Sequence, residues 1–238
     1  MNVVLLRVGI DAGAGGIQGM DYRLVIRMSV RLRQLFLAVI FSIAAIPGAA
    51  TSIKQFTFAE LSDHASLIIE GKVIAVVARE DGLGGGIGTY LRIQVLDRLK
   101  GPDVGLEVEL RFAGGTVANR TLQFASMVIP KFGETGIYFV ESLDAYQINP
   151  LVGWSQGHFV EIADAQTGLR RVYTPDRRAI LGIGGDARVQ EQQVLSGSHG
   201  TALEIQVAKK RGRSPQAMNS TDFKDFILRD IALRGSTR

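Results

Sequence analysis

The side chains able to do chemistry are few in this sequence and are not grouped. Three histidines are present, His64, His158 and His199, and none stands at H-x-H or H-x-x-x-H spacing. An imidazole metal site would therefore need three distant segments to converge, and no metal is expected. Serine nucleophiles lack the G-x-S-x-G elbow: neither "WSQG" at 154–157 nor "LSGS" at 195–198 matches it. Cysteine is absent, which excludes disulfides, thiolate nucleophiles and thiolate metal sites. Glu107 and Glu109 share one strand face, as an acid and base pair would, but solvated residues facing Arg111 are the simpler reading. "GAGGIQG" at 13–19 imitates a dinucleotide loop with the wrong spacing and no βαβ unit after it. No cofactor is expected.

Two function classes remain. The first is a binding module without catalysis, contacting a protein or envelope ligand through Trp154, Tyr146, Lys131 and Phe132 and through the loops "DGLGGGIG" (81–88) and "IPKFGE" (129–134). The second is a hydrolytic or metal-dependent enzyme using His64 or His158 beside a carboxylate. Trp154, Tyr146, Phe159 and Tyr173 could line a ligand groove, although aromatic residues in short strands more commonly belong to the core.

The elements that would position these residues are short strands. "TYLRIQVLDRLKG" at 89–101 alternates, with Leu91, Ile93 and Val95 on one side and Tyr90, Arg92 and Gln94 on the other. Before it, "LIIEGKVIAVVARE" is rich in β-branched residues and carries Gly71 where a bulge fits. After it, Leu106, Val108, Leu110 and Phe112 form the apolar side of a third strand. "LQFASMVI" (122–129), "TGIYFVE" (135–141), "YQIN" (146–149), "GHFVEI" (157–162) and "RRVY" (170–173) are further candidates, separated by turn-forming residues. The capping box from Thr57 to Glu60 predicts a short helix, and Phe223, Phe226, Ile227, Ile231 and Leu233 at helical spacing predict another at 220–235. Many strands without long helices between them imply a mainly β fold, an antiparallel OB-like barrel in preference to a β-sandwich. Leu91, Ile93, Val95, Leu106, Val108, Leu110, Ile137 and Phe139 are the expected core.

"MSVRLRQLFLAVIFSIAAIPGAA" at 28–50 has the basic, apolar and small-residue succession of a secretory signal, with cleavage expected after Ala50. Its apolar run is too short for a membrane span. Met28 is then the expected start, residues 1–27 an upstream extension, 51–185 the β domain, 186–219 a polar linker and 220–235 a terminal amphipathic helix. Export to the periplasm or cell exterior follows, with membrane contact only through an uncleaved leader. The overall charge of +4 belongs mainly to five arginines in the first fifty residues; the remainder holds 22 basic against 21 acidic side chains. Nucleic acid is therefore not an expected partner. Lys209 to Arg213 holds four cationic side chains in five residues and reads as solvated tail.

The strings "ASLIIEGKVIAVV", "TYLRIQVLDRLKG", "VELRFAGG", "IPKFGETGIYFVES" and "VGWSQGHFVEI" together resemble a broad group of uncharacterised exported bacterial β-domain proteins, across about residues 57–162. More distantly the same order is similar to the netrin-like OB barrel of tissue inhibitors of metalloproteinases. That resemblance implies a barrel. It does not carry over the inhibitors' activity, which needs an N-terminal cysteine that this chain lacks.

Overall fold

The computed structural model describes residues 52–82, 86–125, 127–165, 167–184, 194–196, 201–214 and 216–235. The expected extension at 1–27, the leader at 28–50, the tip of the glycine loop at 83–85 and His199 lie outside these residues. The fold is mainly β. Eight strands form one antiparallel sheet in the order β12-β10-β9-β8-β7-β2-β3-β4. The strands are β2 (Leu67–Asp81), β3 (Gly86–Lys100), β4 (Glu107–Ala113), β7 (Thr135–Val140), β8 (His158–Ala163), β9 (Arg170–Tyr173), β10 (Arg178–Ile183) and β12 (Ile205–Arg211). Two small ladders stand apart, β1 (Ser52–Lys54) with β11 (Val194–Ser196) and β5 (Gly115–Val117) with β6 (Arg120–Leu122).

The two helices are where the sequence signals place them. Helix α1 (Phe58–His64) begins in a complete capping box, Thr57 Oγ1 accepting from Glu60 N while Glu60 Oε2 accepts from Thr57 N. Helix α2 (Ser220–Gly235) is capped by Asn219, whose side chain accepts from Asp222 N at 2.8 Å.

Alternation sends side chains to opposite faces of the sheet, and both faces are covered. On one face Ile68, Ile137, Phe139, Phe159, Val172 and Ile180 pack with Phe58 and Leu61 of α1 and Phe223 and Ile227 of α2. On the other, Leu67, Ile69, Val73, Leu91, Ile93, Val108, Leu110, Phe112, Tyr138 and Val140 form a second core, closed by Met127, Ile129 and Leu151 from the connecting segments. The hairpin of β2 and β3 changes register three times, once between Glu70 and Gly71. A Cβ on Gly71 would stand 2.4 Å from Ile93 Cγ2, so glycine is what lets the two strands close at that bulge. Gly101, at φ +98, turns the chain out of β3 with its α-carbon side against Ser66 O.

Several expectations are corrected. Leu106 is 83% exposed, because β4 begins one residue later, after the turn at Gly105 with φ +73. Val95 is only half-buried. Of the described residues of "LQFASMVI", Leu122 alone is in a strand, and "YQIN" is irregular. Leu233 stays in solvent at the end of α2. The stretch 186–219 is not simply a linker: it contributes β12, an edge of the main sheet, and Ala202, Leu203, Ile205 and Ala217 are buried. The packed unit thus runs past 185 through α2.

Candidate functional site

The far end of the β2–β3 hairpin, the end of β4 and the irregular segment after β7 line a half-open cavity of about 190 Å³. Gly86 and Ile87 come from the glycine loop and β3, Arg111 and Ala113 from β4, Leu122 and Phe124 from and after β6, and Tyr146, Gln147 and Ile148 from the segment after β7. The segment is fixed by Ala113 N donating to Ile148 O and Arg111 Nη1 donating to Gln147 O at 2.7 Å. Most of the lining is apolar, and Tyr146 and Ile148 stand half in solvent at its rim.

One polar network supports the cavity from below. Asp81, at the end of β2, is buried and accepts from Arg111 Nε at 2.6 Å, from Tyr146 OH at 3.0 Å and from Tyr90 OH at 3.3 Å. Arg111 lies 3.7 Å over the Tyr146 ring, and Arg79 lies 3.5 Å over Tyr90. Burial by itself would raise the Asp81 carboxyl, but the bonds from Arg111 and Tyr146 outweigh it and hold the group below its ordinary value. Desolvation and its bond to that carboxylate raise the Tyr146 phenol. Gly88 leaves the space: a Cβ there would stand 3.0 Å from the Tyr90 ring and 3.1 Å from Asp81 Oδ2. The network orients Arg111 and pairs its charge with Asp81, leaving an apolar opening over a floor whose charges are matched.

Tyr146 therefore meets the glycine loop at this cavity, while Trp154, Lys131 and Phe132 are not part of its lining. Trp154 begins the 3-10 turn Trp154–Gly157 with φ +59, directly after Gly153 at φ +56. Lys131 and Phe132 sit in the exposed turn before β7. Phe159 and Tyr173 are core residues. Glu107 and Glu109 face Arg92 and Arg79 as exposed cross-strand pairs.

The two described histidines, His64 and His158, do not converge. His64 is exposed at the end of α1, edge-on to Phe56. His158 is buried, stacked on Tyr138, with Nε2 2.7 Å from Glu134 Oε1, while Arg177 Nη2 stands 3.4 Å from the second Glu134 oxygen. His158 Nδ1 and the Tyr138 hydroxyl have no partner among the described residues. With Nε2–H donating to Glu134, Nδ1 is left as a buried nitrogen without a partner among the described residues. Burial, with the Glu134 and Glu161 charges, pushes the Tyr138 phenol well up. No group of three acidic or histidine side chains able to hold a metal occurs among the described residues, and no helix there is long and apolar enough to cross a membrane.

A second, partly buried cluster lies under α2, with Glu70 and Glu161 covered and Arg170 and Asp97 half in solvent. Glu70 of β2 accepts from Arg170 Nη1 and from Lys224 Nζ, each at 2.7 Å, and Lys224 also reaches Asp97 at 2.8 Å. Glu161 of β8 is hydrogen-bonded to Ser220, and its other oxygen is 3.7 Å from Arg170 without a hydrogen bond. Burial pushes the Glu161 carboxyl up to about 7; the Glu70 charge adds to the rise and the Ser220 bond opposes it. Burial would lower the Lys224 ammonium, but its bonds to Asp97 and Glu70 raise it.

Sequence reasoning had Asp81 only as the first residue of the loop 81–88, and missed Arg111 and Phe124 at the cavity and Glu70 and Glu161 under α2. The one local signal was an acid, Asp81, at the mouth of a glycine loop. Comparison with family models, with curated proteins and with solved structures finds no match to this chain.

Proposed function

We propose that this chain is an exported, non-enzymatic binding module of the periplasm or cell exterior, and that its cavity takes one large apolar side chain of a protein partner. The observation that carries this reading is the cavity itself: an apolar lining over a floor whose charges are already paired. Its volume of about 190 Å³ is below the roughly 300–1,000 Å³ of ordinary small-molecule sites, and suits a single side chain. The half-exposed Tyr146, Ile148 and Leu122 supply the apolar and aromatic rim on which interface energy concentrates. Export rests on the succession of basic, apolar and small residues at 28–50.

The test is capture of partners from a cell-envelope extract by the immobilised full chain, compared across variants whose circular dichroism matches the wild type. Tyr146→Ala and Ile148→Asp are expected to lose a captured protein that Trp154→Ala and Phe132→Ala retain. Equal capture by all four variants would defeat the cavity reading. Loss only with Trp154→Ala or Phe132→Ala would move the contact surface to those turns.

A hydrolytic reading has one favourable observation, the 2.7 Å pair of His158 and Glu134. The imidazole of that pair is 1% exposed, which leaves a substrate no approach in this conformation. Loss of a hydrolytic activity in His158→Gln with the fold retained would restore it.

A further inference from the structure

We infer that Glu161 acts as a proton-operated latch for the C-terminal helix, tying α2 to the sheet when protonated and loosening it when ionised. The charge count of the cluster carries the argument. Glu161 is bonded to Ser220 of α2 and lies beside Arg170 of β9 and Glu70 of β2; Lys224 of α2 and Asp97 of β3 join the cluster through Glu70, while Glu134, whose charge acts with that of Glu161 on Tyr138, is paired with Arg177 at 3.4 Å. Arg170 and Lys224 are the cations, and both are bonded to Glu70, with Asp97 sharing Lys224. With Glu161 neutral, two cations face two carboxylates. With Glu161 ionised a third carboxylate has no cation of its own, because Arg170 Nη1 is 2.7 Å from Glu70 and 3.7 Å from Glu161.

The geometry connects this imbalance to one element. Ser220 is the first residue of α2 and Lys224 stands one turn further along the same face, so two of the polar groups tying the helix N-terminus to the sheet, beside the buried Phe223 and the backbone bonds of Met218, belong to the cluster. A protonated Glu161 can offer its O–H to the neighbouring Glu70 carboxylate while keeping the Ser220 contact. An ionised one can only accept, beside a carboxylate that also accepts. Opening α2 hydrates the group and relieves the repulsion, so the open form gains as Glu161 loses its proton.

Linkage sets the size. A carboxyl that titrates near 4.5 when free and near 7 in place makes opening roughly tenfold more favourable at about pH 8 than at about pH 6. The experiment is hydrogen exchange of the full chain at those two pH values, with each amide corrected for its intrinsic rate. The expected result is a loss of protection of about tenfold in α2 for the wild type. Glu161→Gln should abolish the pH dependence. Glu70→Gln, which frees Arg170 for Glu161, should shrink it. Unchanged wild-type protection between the two pH values, or an undiminished pH dependence in Glu161→Gln, would overturn the proposal; if Glu161→Gln failed to fold, the wild-type and Glu70→Gln arms would decide.

Discussion

Replacing Phe223 by alanine tests whether the C-terminal helix belongs to the core. Phe223 is fully buried, with its ring 4.9 Å from Phe159 of β8 and 6.1 Å from Phe58 of α1, the latter edge-on at 90°. It therefore links both helices to the sheet. Truncating a buried phenylalanine costs about 3–5 kcal/mol, and a site between a strand and two helices cannot collapse onto the missing ring, so about 4 kcal/mol is expected. For a domain of this size each kcal/mol lowers Tm by about 2–4 °C, which gives a fall of roughly 8–16 °C. Urea unfolding and a thermal melt of the full chain, both followed by circular dichroism, measure it, with Leu233→Ala at the exposed end of α2 as the control expected to shift by under about 0.5 kcal/mol. A loss below about 1 kcal/mol for Phe223→Ala, or an early separate transition in the wild type, would refute the placement of α2 in the core.

Other substitutions probe other parts of the molecule. Gly71→Ala should cost about 1–3 kcal/mol by urea titration, because its Cβ would meet Ile93 Cγ2 at 2.4 Å and Gln94 O at 3.0 Å. The lowered Asp81 carboxyl contributes stability that is present above its ordinary value of 3.8 and lost as pH falls through the lower folded value, so Asp81→Asn should flatten the acid limb of a stability-against-pH curve. The raised Glu161 carboxyl acts in the opposite sense: the native state holds its proton from 4.5 up to about 7, stability falls across that window as pH rises, and Glu161→Gln should recover on the order of 3 kcal/mol above it. Leu106→Ser should leave the urea midpoint within about 0.5 kcal/mol, since that side chain is in solvent.

The central sheet was legible because period-two burial writes itself into each strand separately. Leu91 and Ile93, or Val108 and Leu110, can be assigned without knowing their partners. Thr57 and Glu60 were legible for the same reason, since their bonds close within one turn. The strand β12 was hidden because an edge strand carries one apolar face and is blunted by charge: Ile205 and Val207 give way to Lys209 and Lys210, and the charges read as a tail. Leu106 was assigned to the core by extending a real alternation one step beyond the turn that ends it. Beyond Asp81 at the glycine loop, the polar clusters left no local trace. Asp81 and Arg111 stand 30 residues apart, and Glu161 and Ser220 stand 59 apart, so only strand register and helix docking bring them together.

The strand order also dictates a sequence of events during synthesis. Strands β2, β3 and β4 leave the ribosome as a complete meander, whereas β2 finds its second neighbour only when β7 has been made. Until then the outer side of β2 presents the open backbone of Leu67, Ile68 and Ile69, side chains that end fully covered on both faces of the finished sheet. A chain that ends before residue 140 is therefore expected to be the aggregation-prone intermediate of this protein. A pause engineered just before β7 would raise aggregation, whereas the same pause after β8, when the seam is already closed, would be tolerated.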